Sequence, residues 1–190
     1  MRLLERFYWK LDDSVQEKYR KTIRFLARLV VLALPLYLIM WLGVDMYPLQ
    51  VTVASQSGWV LKSAGYSVEQ NGAGLDVNGF RFYIVQDCTG WKSMLFLFAL
   101  IFAVPGVALR RRLLGMVFGL PILWLGNLSR ICAVVVTENG WGIDTAMFVH
   151  NILFQAGLIA FVLGLWIAWL RFPETWIYRR IRNYIKPVMR

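Results

Sequence analysis

The chain has 190 residues, 58% of them hydrophobic, with 21 lysines and arginines, 11 acidic residues and one histidine, for a formal charge of +10. A soluble domain of this size cannot hide so much apolar surface, so the composition excludes an ordinary soluble globule. The basic residues lie in runs beside apolar stretches, which favours membrane topology over nucleic-acid binding.

Residues 1–28 read as a cytoplasmic amphipathic N-terminal helix. Asp12 and Asp13 offer an N-cap, and Val15, Tyr19, Ile23 and Leu26 recur at helical spacing. The segment carries mixed charges and no small-residue cleavage site follows it, unlike a removable signal peptide. Residues 29–170 hold four apolar stretches near the roughly 20 residues that cross about 30 Å of hydrocarbon. They are Leu29 to Val44, Met94 to Leu109, Leu113 to Val136 and Ala146 to Leu170. A basic cytoplasmic tail, 171–190, follows. Pro35 predicts a kink in the first span, which neighbouring helices can accommodate. With both ends cytoplasmic, 17 of the 21 basic residues fall on the cytoplasmic side, as the positive-inside rule requires. The expected fold is a mainly α membrane protein of about four transmembrane helices, with a small β-meander in the outer loop before the second span.

That loop, 45–87, begins with Pro48 to Ala64, whose Leu49, Val53, Val60 and Leu61 suit a short helix on the membrane rim. Asn71-Gly72 and Asn78-Gly79 are strong hairpin signals because both turn positions need positive φ. They bracket Leu75-Asp76-Val77, and Phe80 to Val85 is aromatic and β-branched. Three short strands follow from this, the last delivering Asp87 and Cys88 to the second span. Leu109 to Leu113 reads as a tight inner turn and Glu138 to Thr145 as a tight outer one.

The topology sets three chemically capable side chains at one depth. Cys88 stands at the outer interface. Arg130 lies about 26 Å along the third span, and His150 one or two turns into the fourth. An ionisable group inside a membrane is costly unless it faces the bundle or a wet cavity, which makes Arg130 and His150 functional candidates. A histidine can take a thiol proton, and a nearby cation lowers the thiol pKa. Arginine supplies that cation, or binds the oxyanion of a tetrahedral intermediate. Asn127 shares a helical face with Arg130 and can hold the guanidinium or donate to a substrate carbonyl. Asp87 opposes ionisation of the adjacent thiol, unless it pairs with Arg130 or His150 and orients them.

Each residue also has a structural explanation. Cys88 fits an inert interfacial cysteine, His150 a hydrogen-bonded core histidine, and Arg130 a side chain snorkelling to headgroups. A Cys88–Cys132 disulfide is disfavoured, since Cys132 and Arg130 are about 200° apart around their helix. One histidine and two poorly aligned cysteines fall short of a zinc set, so no metal or other cofactor is expected.

The segments "DCTG" before a span, "NLSRI" near the outer end of the next and "FVHNIL" at the start of the last resemble the exosortase and archaeosortase family of membrane cysteine transpeptidases. The likeness covers roughly Gly65 to Leu170, and the chain looks like a short member, with fewer spans than larger relatives. The resemblance implies Cys88 as nucleophile, Arg130 as catalytic arginine and His150 as general base or acid. It implies as partners secreted proteins ending in a short motif, a membrane span and a basic tail, cleaved outside the membrane and passed to a lipid or glycan acceptor. Two alternatives stand beside it: a cysteine protease at the membrane edge with water as acceptor, and a non-enzymatic assembly subunit.

Overall fold

The computed structural model describes residues 2–151 and 157–171. The first element, α1 (Arg2–Trp41), is one continuous helix of 40 residues with Pro35 inside it. No helix begins at Asp12-Asp13; those residues continue the turn that precedes them, so the expected amphipathic segment and first span share one helix. Lys21 and Glu17 form an i,i+4 pair at 2.8 Å on its surface. Further along, Val30, Val31, Leu34 and Leu38 are exposed, and so broad an apolar surface suits lipid rather than water.

After the turn at Gly43 comes α2 (Tyr47–Ser63), which starts with Pro48 in its first turn, where the missing N–H costs nothing. It buries Val53, Ala54, Ser57, Gly58 and Leu61. The expected meander follows as β1 (Val68–Asn71), β2 (Gly74–Val77) and β3 (Phe80–Tyr83), an antiparallel sheet in the order β1-β2-β3. Asn78 and Gly79 both have positive φ, 54° and 87°, and join Val77 to Phe80 in register. The first hairpin is shifted one residue from the expected turn: Asn71 closes it against Gly74, and Gly72 at φ 58° takes the first loop position. Val68, Leu75 and Val77 pack with Val53, Ala54 and Leu61 of α2 and with Leu128, Ile131 and Val135 further on, forming one apolar core.

Beyond the sheet the chain turns into α3 (Trp91–Ala103). This helix is shorter than the expected second span because Pro105 forces Val104 into an extended conformation, φ −62° and ψ 118°. The basic triplet Arg110, Arg111 and Arg112 is helical rather than a turn, since α4 (Leu109–Trp141) begins just before it. The outer turn is likewise reduced to Gly142, because Asn139 and Gly140 lie within α4; α5 (Ile143–Asn151) starts directly after. The final element is α6 (Leu158–Arg171). Residues 152–156 of the expected fourth span and nearly all of the basic tail lie outside the described residues.

Among the described helices, Val15–Trp41 and Leu109–Trp141 are long and apolar enough to cross a membrane, while Trp91–Ala103 and Leu158–Arg171 are apolar but shorter. A second core joins them: Leu97, Leu100 and Ile101 of α3, Leu123 of α4 and Val162 of α6, with Phe25 and Leu29 of α1 against it. Phe25 stacks on Trp166 at 5.8 Å between ring centroids. Gly126 lets the Phe161 ring of α6 approach the α4 backbone, a space any Cβ would occupy. At the other end, Arg111 Nη2 donates to the carbonyls of Trp169 and Leu170, and the Trp169 indole donates to the Arg111 carbonyl. The third and last apolar stretches are thus fastened together at both levels.

Candidate functional site

Cys88 is placed by the way β3 ends. Val85 remains extended, at φ −76° and ψ 161°, and residues Gln86–Thr89 then close a 3-10 turn. The Cys88 N–H donates to the Val85 carbonyl at 2.9 Å, and the Thr89 hydroxyl donates to the Gln86 carbonyl at 2.8 Å. Gly90 ends the turn in the left-handed region, φ 77°, and caps α3. A side chain there would be strained twice over, since a Cβ would lie 3.1 Å from Cγ of Asn127 as well.

Asn127 and Arg130 stand three residues apart on one face of α4, both buried, at 1% and 8% exposure. Their shared target is the backbone of the thiol residue. Asn127 Nδ2 donates to the Cys88 carbonyl at 2.8 Å and Arg130 Nη2 reaches the same oxygen at 3.4 Å. The guanidinium also stands close enough to the Cys88 thiol to stabilise its charged form. Asn127 thus braces the turn that carries the thiol through one amide N–H. Nothing in the spacing of residues 88 and 127 shows this; only the packing of α4 on the turn does.

Burial pushes the Cys88 thiol above the ordinary thiol range; the Arg130 cation pulls the other way, and the Asp87 carboxylate adds a smaller upward push. The cation acts in the expected direction, and burial outweighs it. Asp87 is engaged by Lys92, whose Nζ lies 2.7 Å from Oδ1. The i,i+5 spacing of this pair across the start of α3 hid it from the sequence reading.

His150 is half-buried in the last turn of α5, the helix that doubles back on α4 after Gly142, φ 83°. From that hinge Arg130 lies about 18 Å back along α4 and His150 about 12 Å along α5. The structure thus joins Cys88, Asn127 and Arg130 directly, with Asp87 held beside them by Lys92 and His150 on the neighbouring helix.

Two supports had no clear sequence signal. The Trp124 indole donates to Gln56 Oε1 at 2.7 Å, tying α2 to α4, and Asn78 Nδ2 donates to Asn139 Oδ1 at 3.2 Å, tying the second hairpin to the end of α4. Cys88 and Cys132 are both free thiols. Among the described residues no three His, Cys, Asp or Glu side chains gather as a metal site would need.

A family model described as transmembrane exosortase matches residues 16–170 of the chain. No curated protein and no solved structure matches it.

Proposed function

The chain belongs to the transmembrane exosortase family, and from that membership we propose that it is a membrane cysteine transpeptidase acting through Cys88. The observation that carries the reading is the convergence of Asn127 and Arg130 on the Cys88 residue. A turn fixed this way holds a nucleophile in place before any substrate arrives, which removes an entropic part of the barrier. In the proposed orientation the N-terminus is cytoplasmic, the chain crosses the membrane several times, and Cys88 faces the extracytoplasmic side.

In the proposed reaction His150 takes the Cys88 proton as the sulfur attacks a peptide carbonyl of a secreted protein's C-terminal sorting region. Arg130 stabilises the oxyanion with a charge that needs no reorganisation. The C–N bond breaks, the proton passes from His150 to the leaving amine, and the tail departs. The thioester then yields its acyl group to a hydroxyl or amine of a lipid or glycan, returning the proton to sulfur. A thiol pushed up by burial suits this order, because it stays protonated and unreactive until a base is in position. Transfer to water instead would make the same machinery a protease.

The test is incubation of the purified chain, in lipid, with a secreted protein ending in a span and a basic tail. The expected result is a hydroxylamine-sensitive acyl-enzyme that is lost in Cys88→Ala. Normal cleavage by Cys88→Ala would refute both enzymatic readings. The raised thiol also favours one non-enzymatic reading, an assembly subunit in which Arg130 pairs with a partner's acidic side chain; there Cys88→Ala is silent and Arg130→Ala abolishes association.

A further inference from the structure

The thiol turn is the continuation of an edge strand, and that edge is open. The two-residue loop Asn78-Gly79 makes Val77 and Phe80 a hydrogen-bonded pair. Antiparallel pairs alternate, so Leu75 and Phe82 are bonded, whereas Asp76–Arg81 and Gly74–Tyr83 are not. Arg81 and Tyr83 therefore turn their N–H and C=O groups away from β2. The Ile84 N–H, which donates to the Ala73 carbonyl at 3.0 Å, prolongs the ladder by one step and sets the Val85 N–H outward too. With the strand order β1-β2-β3, no fourth strand lies beyond among the described residues. Among the described residues none hydrogen-bonds the N–H of Arg81, Tyr83 or Val85.

This edge is held at both ends against one helix. Asn78 is tied to Asn139 near the outer end of α4, and Cys88 is tied to Asn127 and Arg130 further in. The extended run between them leads straight into the nucleophile. A peptide laid along it would gain main-chain hydrogen bonds at alternate residues while its backbone advanced toward Cys88. Phe80 and Tyr83, both exposed and on opposite faces of the strand, flank such a peptide. A second copy of the chain is restricted in how it can pair with the edge. Isologous pairing of two β3 strands in the register centred on Arg81 would bring two guanidiniums together, and each has only a 3.6 Å contact with Asp76 to offset the repulsion; the register centred on Tyr83 avoids this, so the dimerisation test below decides between the occupants.

We propose that the outer edge of β3 binds the acyl-side segment of a peptide substrate as a fourth strand, leading its scissile carbonyl to Cys88. This rests on Cys88 being the peptide-attacking nucleophile.

Two probes with the same warhead test it on the full chain in detergent micelles: acetyl-tetra-alanine chloromethyl ketone, and the same compound N-methylated at alternate amides. The unmethylated probe is expected to label Cys88 about tenfold faster or more, the effect of one or two backbone hydrogen bonds. Tyr83→Pro removes an outward N–H without touching the bonds to β2, so it should collapse that ratio toward one. Tyr83→Ala keeps the N–H and should preserve it. Equal labelling of wild type by both probes overturns the proposal, as does an undiminished ratio in Tyr83→Pro. Concentration-dependent dimerisation lost in Tyr83→Pro would assign the edge to a second copy and also overturn it. An unreactive thiol slows both probes alike, so the ratio separates failure of the docking edge from failure of the nucleophile.

Discussion

Gly90→Ala tests whether the thiol turn and α4 form one mechanical unit. Alanine at φ 77° pays the left-handed penalty of roughly 1–2 kcal/mol. Its Cβ would also sit 3.1 Å from Cγ and 3.3 Å from Nδ2 of Asn127. Asn127 is buried at 1% exposure and cannot swing aside without lengthening its 2.8 Å bond to the Cys88 carbonyl. Losing that bond adds about 1 kcal/mol. The total is about 2–3 kcal/mol, read by denaturant-induced unfolding in mixed micelles. A double-mutant cycle with Asn127→Ala isolates the contact: removing the carboxamide takes away both the clash and the bond, so the two losses should overlap by about 1 kcal/mol. Strict additivity would show that Gly90 is needed for its backbone angle alone and that Asn127 does not brace the turn.

Three further outcomes follow from the same geometry. Arg130→Gln removes the cation that holds the thiol down, so the midpoint for iodoacetamide labelling of Cys88, measured in a Cys132→Ser background, should rise; labelling at fixed pH near 8 therefore slows. Asp87→Asn removes a carboxylate that pushes the thiol up, so the midpoint should fall, and by less than Arg130→Gln raises it, because Asp87 is the smaller influence and Lys92 already pairs with it in a half-exposed setting. Gly126→Ala puts a methyl where the Phe161 ring packs and should destabilise the α4–α6 contact by about 1–3 kcal/mol, seen as a lower melting temperature in detergent with the Cys88 labelling midpoint unchanged.

Local signals that act over a few residues were legible in the sequence. Asn78-Gly79 specified its hairpin because few residue pairs tolerate two positive φ angles in succession. Pro48 marked the start of α2 for a similarly local reason. Apolar runs identified which segments would be helical but misjudged their ends. Pro105 stops α3 early although Val104 and Val107 continue the hydrophobic run, and Asn139-Gly140 remains helical although the same dipeptide type turns the chain at residue 78. Helix context overrides turn propensity there. In the candidate site, residue type and spacing singled out Cys88, Asn127 and Arg130, yet the contact that unites them runs through a backbone carbonyl, and a carbonyl is the same at every position. The Gly90 constraint was hidden likewise, since it comes from a helix 37 residues away in the chain.

The shortness of α3 bears on the lipid around it. Thirteen residues reach only about 20 Å, some 10 Å less than an ordinary hydrocarbon core. If α3 crosses the membrane as proposed, acyl chains beside it would compress or its ends would sink below the headgroups; at the far end the Arg112 guanidinium donates to the Val104 carbonyl at 2.8 Å, which would suit a submerged helix end. In the proposed reaction, a bilayer thinned at this point would set Cys88 nearer the level where the anchor of a sorted protein would leave the hydrocarbon. On the proposed function, membrane thickness would regulate turnover, with shorter-chain lipids bringing enzyme and anchored substrate to matching heights.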